Sequence, residues 1–247
     1  MGMTGDLLID VGNSRVKWVL TEPGSDDAIP EGCAAAHEGD VERVVEALPN
    51  GRPARVAVSQ VLGPEVGVAL CAALQARYGV TPVMARVRSE CAGLQIAYAD
   101  PMRLGVDRWL AMLAARRRAP AEAVVIAMAG TALTLDVVDR DGHHRGGLIA
   151  PGFQTARQAT LGATRFEHQA GGAELAGLGT TTEACVAAGA RLACLGALDR
   201  GAALASEGAR KWIAGGDAAL LAIDLPGWQT LPNPVLSGLM AMLDSTD

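Results

Sequence analysis

Over its first twenty residues the chain passes from a continuous apolar run to strict alternation. Leu7-Leu8-Ile9, flanked by Asp6 and Asp10, reads as a short buried strand. Val11-Gly12-Asn13-Ser14 interrupts it with turn chemistry. Val16, Trp18 and Leu20 then alternate with Arg15, Lys17 and Val19, the period of a strand pairing back on the first. The stretch 23–39 is polar and glycine-rich and reads as a loop or irregular edge. Residues 41–48 have helical spacing, 55–61 predict a strand, and 64–77 a helix with Pro64 near its start. Apolar positions at helical spacing return over 104–118, with Trp109 to Leu113 in the helix interior. Beyond Pro120, residues 123–128 are strongly β-like, and further helices are predicted over 152–161 and 182–205. Strands alternating with helices argue for an α/β fold.

One pattern recurs. Residues 7–18 run as strand, glycine turn, polar residue, strand, and residues 125–136 repeat that plan around Gly130. The echo suggests two similar halves, 1–117 and 118–247, each offering a glycine turn.

Composition narrows the function classes. Half of the 247 residues are hydrophobic but only 3% are aromatic, so the core is built mainly from Ala, Val and Leu packed closely. A net charge of −6 argues against a nucleic-acid partner, which would need a basic face. Arg116-Arg117-Arg118 reads as a solvated helix C-terminus. No apolar run has the length of a membrane span and no leader is recognisable, so a cytoplasmic location without a membrane partner is expected. Five cysteines without CxxC spacing suit reduced, buried thiols. His37, His143, His144 and His168 lie in polar surroundings and read as surface residues.

Three segments carry candidate chemistry. In Asp10-Val11-Gly12-Asn13-Ser14, Gly12 lets the backbone approach an anion, and N–H groups of a tight turn cradle phosphate oxygens. Asp10, at the strand end, suits a hydrated Mg²⁺ beside them, and Asn13, Ser14 and Lys17 add donors. The same residues also fit an ordinary hairpin. In the segment 130–136, small Gly130 and Ala132 beside Thr131 suit a second cradle; a plain β-turn fits equally, with Thr134 and Asp136 on the solvent side of the strand. In the segment 98–109, Gly105 to Arg108 opens a helix whose N–H groups favour an anion. There Asp107 is suited to accept a proton from a hydroxyl and Arg108 to clamp a carboxylate; alternatively Asp107 serves the helix dipole and pairs with Arg108.

In this order and spacing the segments resemble the type III pantothenate kinases, also known as the Bvg accessory factor-like family. Gly146-Gly147-Leu148-Ile149-Ala150-Pro151-Gly152, Gly215-Gly216-Asp217-Ala218 and Asn233-Pro234-Val235-Leu236-Ser237-Gly238-Leu239 resemble further family motifs, so the likeness runs along nearly the whole chain. The resemblance implies a duplicated ribonuclease H-like fold of the actin-like ATPase superfamily, two halves around a nucleotide cleft, and a homodimer. It implies ATP-dependent phosphorylation of the 4′-hydroxyl of pantothenate, with ATP and Mg²⁺; the alternative readings are a kinase of the same superfamily acting on another small alcohol and a non-catalytic ATP- or pantothenate-binding regulator. By position, Asp10, Val11, Gly12, Asn13, Ser14, Arg15, Val16 and Lys17 would bind ATP, with Asp10 supporting the metal and Thr131 holding phosphates. Asp107 would be the general base. Tyr98, Gly105, Val106, Asp107 and Arg108 would contact pantothenate, as would Thr181 or Thr182 of the run 180–182, reaching over from the partner subunit. Three positions depart from the family pattern. Met128 stands where many members carry an acidic residue serving a monovalent cation (K⁺ or NH₄⁺), Ala214 replaces a Thr, and Ser14 replaces a Thr while keeping its hydroxyl.

Overall fold

A computed structural model describes residues 5–21, 33–165 and 177–245. The chain divides into two compact units, Met1–Pro120 with Pro232–Asp247, and Ala121–Leu231.

The first unit begins with the predicted hairpin. β1 (Asp6–Val11) and β2 (Arg15–Leu20) pair antiparallel with Leu7 opposite Leu20 and Asp10 opposite Lys17. β3 (Cys33–Ala36) adds to β2 inside the stretch expected to be loop. Its side chains are largely exposed, so no apolar alternation marks it, and only pairing with β2 defines it. α1 (Val41–Ala47) is capped by Asp40, whose Oδ1 accepts the Glu42 N–H at 2.8 Å. β4 (Arg55–Gln60) lies parallel to β1. α2 (Pro64–Tyr78) opens on Pro64 and stops at Gly79, whose φ of 71° a side chain would resist. β5 (Val83–Met84) completes the order β3-β2-β1-β4-β5. On one face, Leu7, Ile9, Val11, Val16, Val56 and Val58 pack with Val44, Leu70 and Leu74 of the helices. Each such aliphatic side chain contributes about 1.5–3 kcal/mol by leaving water. A two-residue-turn hairpin, β6 (Glu90–Cys91) with β7 (Leu94–Gln95), and a single 3-10 turn at Pro101–Arg103 lead into α3 (Val106–Arg118).

The second unit repeats the plan. β8 (Val124–Ala129), β9 (Ala132–Val138) and β10 (His144–Pro151) form an antiparallel meander. Then come α4 (Phe153–Ala163), α5 (Thr182–Ala202), β11 (Arg210–Ala214), α6 (Ala218–Ala222) and β12 (Trp228–Thr230). β11 runs parallel to β8, and β12 parallel to β11. The order β10-β9-β8-β11-β12 thus copies that of the first sheet. Val125, Ala127, Leu133 and Leu135 pack against Leu195 and Leu198 of α5.

α7 (Pro234–Asp244) returns to the first unit, where it packs on α3, β1 and β4. A Cβ at Gly238 would lie 2.1 Å from the Leu110 carbonyl oxygen, so the bare glycine is what allows α7 to lie this close to α3. Asp244 at its end accepts from Arg117 at 2.5 Å and from Arg55 at 3.3 Å. The expected halves 1–117 and 118–247 therefore differ from the compact units at both ends of the second, because the last helix carries the apolar face that α3 requires. Arg117, expected to be solvated, is engaged and only partly exposed.

Several surface expectations are corrected. His37 is fully buried. His144 is buried as well and sits 3.0 Å from buried Asp136 across β9 and β10. A lone polar side chain whose partner is distant in sequence looks like a surface group until the pairing is known. Thr134 and Asp136 are buried too, because both faces of β9 are covered. His143 is exposed as expected, and His168 lies outside the described residues. All five cysteines are free thiols, but only Cys91 and Cys194 are buried; Cys33 and Cys185 are exposed and Cys71 is intermediate.

Candidate active site

In the first unit, chemistry gathers at the carboxyl end of β1. Register places Lys17 of β2, Asp10 of β1 and Ser59 of β4 in one row across the sheet. Residues directly opposite share a face, and here it is the face away from the Leu7–Ile9–Val11 core. Val11 and Val16 point into that core with no exposed surface, so only their backbone is available to a ligand. Asn13, Ser14, Arg15 and Lys17 are exposed around the turn. Gly12 N–H donates to the Arg15 carbonyl at 3.0 Å and closes the turn.

Burial pushes the Asp10 carboxyl up to about 6. Lys17 opposes this, while the nearby Asp107 carboxylate raises it further. Ser59 Oγ, fully buried, lies near enough to favour the carboxylate without completing a well-formed hydrogen bond. Asp10 and Asp107, about a hundred residues apart, are thus neighbours within one unit.

Asp107 occupies the first turn of α3, where its charge complements the helix dipole. Gly105 precedes the helix at φ −59°, ψ 131°, and a Cβ there would come within 2.6 Å of Asp107 Oδ1. The carboxylate therefore rests in the space that glycine leaves. Arg108, next in the chain, is buried, and its Nη1 donates to the Tyr98 hydroxyl at 3.3 Å. The structure brings Tyr98, Gly105, Asp107 and Arg108 together as one cluster.

In the second unit, Gly130 and Thr131 form the turn between β8 and β9, with Gly130 N–H donating to the Ala132 carbonyl at 3.1 Å. Two other glycine segments close on it. Gly152, before α4, donates its N–H to the Thr131 carbonyl at 3.0 Å, and its Cβ would overlap the Gly130 carbonyl oxygen. Thr155 Oγ1 donates to the same Thr131 carbonyl at 2.7 Å. On the other side Gly215, at φ +104°, passes so near Ala129 that a Cβ would lie 2.2 Å from its carbonyl oxygen, and Asp217 N–H donates to that oxygen at 3.1 Å. Burial raises the Asp217 carboxyl above its ordinary range. Thr131 keeps its side chain exposed. Thr181 caps α5, its Oγ1 accepting the Ala184 N–H at 3.2 Å, and Thr180 and Thr182 beside it are exposed.

Sequence reasoning did not single out Ser59, Thr155 or Asp217 as site residues. Ser59 had a signal, a hydroxyl at the end of the apolar run Val56-Ala57-Val58. Thr155 had none beyond the nearby Gly152, whereas Asp217 stood inside the Gly215-Gly216-Asp217-Ala218 segment that resembles a family motif. Asp139, Asp141 and His143 offer ligand atoms within 4.8 Å of one another. They sit at the end of seven-residue β9 away from Gly130, about 20 Å from that turn.

Two units with one strand order, each with a glycine turn between its first two strands, make up a duplicated ribonuclease H-like, actin-like ATPase fold. Solved structures share that fold. A conserved Baf family protein from Campylobacter jejuni has a TM-score of 0.65 at 17% identity, covering 97% of this chain and 98% of its own. Component A of (R)-2-hydroxyglutaryl-CoA dehydratase from Acidaminococcus fermentans has a TM-score of 0.53 at 13% identity, with 98% and 97% covered. The type III pantothenate kinase from Halorhodospira halophila is 38% identical over 95% of this chain and 96% of its own. The profile of the family described as type III pantothenate kinase matches residues 6–203. The chain belongs to the type III pantothenate kinase family.

Proposed function

We propose that this protein transfers the γ-phosphoryl group of ATP to the 4′-hydroxyl of pantothenate, giving 4′-phosphopantothenate and ADP at the entry to coenzyme A synthesis in the cytoplasm. Family membership along nearly the full length of the chain carries this reading. The Asp107–Arg108–Tyr98 cluster beside Asp10 supports it chemically.

Phosphoryl transfer asks a protein mainly for positioning and charge neutralisation. Asp107 accepts the hydroxyl proton as the alcohol oxygen bonds to the γ-phosphorus and the bond to the β–γ bridging oxygen breaks, releasing ADP. Arg108, held by the Tyr98 hydroxyl, faces the pantothenate carboxylate. In the first unit the N–H groups around Gly12, with Lys17, bind phosphate; in the second, the Gly130 turn with the Thr131 hydroxyl is a phosphate cradle of its own. Asp10 suits a divalent ion, being a partly buried carboxylate with Ser59 and Lys17 alongside. Bound Mg²⁺ would neutralise charge on the β- and γ-phosphate oxygens.

Met128 has Thr134 and Ala214 as its register neighbours, so two of the departures from the family pattern lie side by side in a row without a carboxylate. On that basis turnover requires neither K⁺ nor NH₄⁺. The exposed side of α5 presents Cys185, Gly189, Leu192 and Gly196 at helical spacing without a charge, which supports a homodimer seated there with Thr181 and Thr182 at its edge.

The decisive assay is ADP formation from ATP and Mg²⁺ with and without pantothenate, repeated in Na⁺, K⁺ and NH₄⁺. Pantothenate-dependent ADP at similar rates in all three is expected. Nucleotide binding by folded protein without turnover in any of them would make the chain a binding protein instead.

A further inference from the structure

His37 is fully buried directly after β3, and it touches the glycine turn between β1 and β2 twice. Its ring Nε2 lies 3.0 Å from the Gly12 carbonyl oxygen, and its backbone N–H donates to the Ser14 carbonyl at 3.2 Å. The tautomer follows from a third contact. Gly39 N–H donates to Nδ1 at 2.9 Å, so Nδ1 is the acceptor and Nε2 carries the hydrogen that Gly12 receives. Two carbonyls of the turn are therefore tied back into the protein. Neither Asn13 nor Ser14 donates its N–H to a backbone carbonyl among the described residues, and both residues are exposed.

The second unit treats its own glycine turn in the same way from the same place in the topology. There the segment following the third strand, β10, supplies the Gly152 N–H and the Thr155 hydroxyl to the Thr131 carbonyl. Both halves thus hold a turn carbonyl from the segment that follows the third strand, the first with the His37 imidazole in the connection, the second with the Gly152 amide in the connection and the Thr155 hydroxyl in the first turn of α4. Sequence does not reveal the correspondence, since His37 and Thr155 share neither type nor motif.

We propose that His37 is a positioning residue for nucleotide binding. By pulling the Gly12 and Ser14 carbonyls inward it leaves the Asn13 and Ser14 N–H groups facing a phosphate, and keeps carbonyl oxygens, which would repel that anion, out of the way. The proposal rests on the reading of the Gly12 turn as a phosphate cradle. It assigns His37 no contact with substrate and no proton transfer.

Two substitutions separate the ring's contacts. His37→Gln places an amide N–H near the Nε2 position and keeps the bond to Gly12. His37→Asn places an acceptor near Nδ1, keeps the bond to Gly39 and does not reach Gly12. Calorimetric titration of the full chain with Mg²⁺·ATP, without pantothenate, is the readout, beside thermal melting and the KM for pantothenate. For His37→Asn we expect affinity for Mg²⁺·ATP to fall about tenfold with the pantothenate KM within about twofold of the unmodified chain, and for His37→Gln near-native ATP affinity. Equal ATP affinity in His37→Asn and the unmodified chain overturns the proposal, as does His37→Gln binding no better than His37→Asn. Should His37→Asn fail to fold, His37→Gln decides alone, native affinity supporting the role and a tenfold loss overturning it. ATP binding without any pantothenate-dependent ADP from the unmodified chain would refute the kinase reading and leave the His37 test intact. No ATP binding at all would refute the cradle.

Discussion

Asp10 and Gly105 show how single residues shape the candidate site. The Asp10 carboxyl, at about 6 in the folded chain against an ordinary 3.8, holds its proton more tightly folded than unfolded. The corresponding stabilisation is complete below pH 3.8 and is lost as pH rises through about 6. At pH 7.5 the ionised group then costs on the order of 3 kcal/mol. Asp10→Asn removes that cost. With metal and nucleotide absent, its melting temperature at pH 7.5 should rise by roughly 8 °C, while pantothenate-dependent turnover falls at least about 10²-fold. A variant that melts no higher would show that water or Lys17 already relieves the charge. Gly105→Ala tests the other residue. Its backbone angles suit alanine, so the melting temperature should move by no more than roughly 3 °C. The new methyl group must displace the Asp107 carboxylate, and a shift of about 1 Å should lower kcat about 10²-fold. Unchanged kcat would remove Asp107 from the chemistry. Motif spacing made both residues legible; the contact between Gly105 and Asp107 was not, since it depends on a rotamer.

At the scale of elements, two close approaches dominate. α7 lies against α3 because Gly238 has no side chain, and the obstacle to one is the Leu110 backbone, which cannot swing aside. Gly238→Ala should therefore destabilise the first unit by about 3 kcal/mol, read by urea denaturation of unit-specific tryptophan signals. A loss under 1 kcal/mol would mean that the helices separate cheaply. The Asp136–His144 contact between β9 and β10 is buried on both sides. Removing one partner of such a pair commonly costs about 3–5 kcal/mol. His144→Phe should lose about 3 kcal/mol in the same assay, and adding Asp136→Asn should restore part of it; strictly additive losses would deny the coupling. The strands β1, β2, β4 and β8 and the helices α1, α2, α3, α4 and α5 were readable from the sequence. β3 was not, because its exposed side chains carry no apolar alternation, and β5, β11 and β12 are too short for a period to declare itself.

For the whole molecule, the first unit is discontinuous in sequence. A fragment of residues 1–120 lacks α7 and would expose the faces of α3, β1 and β4 that α7 covers. That fragment should fail to give a cooperative thermal transition, and joining residues 232–247 to it through a flexible linker should restore one. Cooperative melting of 1–120 alone would show α7 to be dispensable. Duplication has the further consequence that corresponding turns can be held by unrelated side chains, as His37 and Thr155 illustrate.

The sequence by itself determined the α/β class, the duplication and the family, because these follow from local periodicity and from short motifs whose order survives in one dimension. It also singled out candidate site residues, through glycines and carboxylates at strand and helix ends. Only the tertiary structure decided which carbonyls of the Gly12 and Thr131 turns are tied back, that Asp10 meets Asp107 and Ser59, that His37 and His144 are interior, and that α7 completes the first unit. Those facts depend on side-chain directions and on contacts between residues far apart in the chain, and hydrophobic pattern carries no record of either.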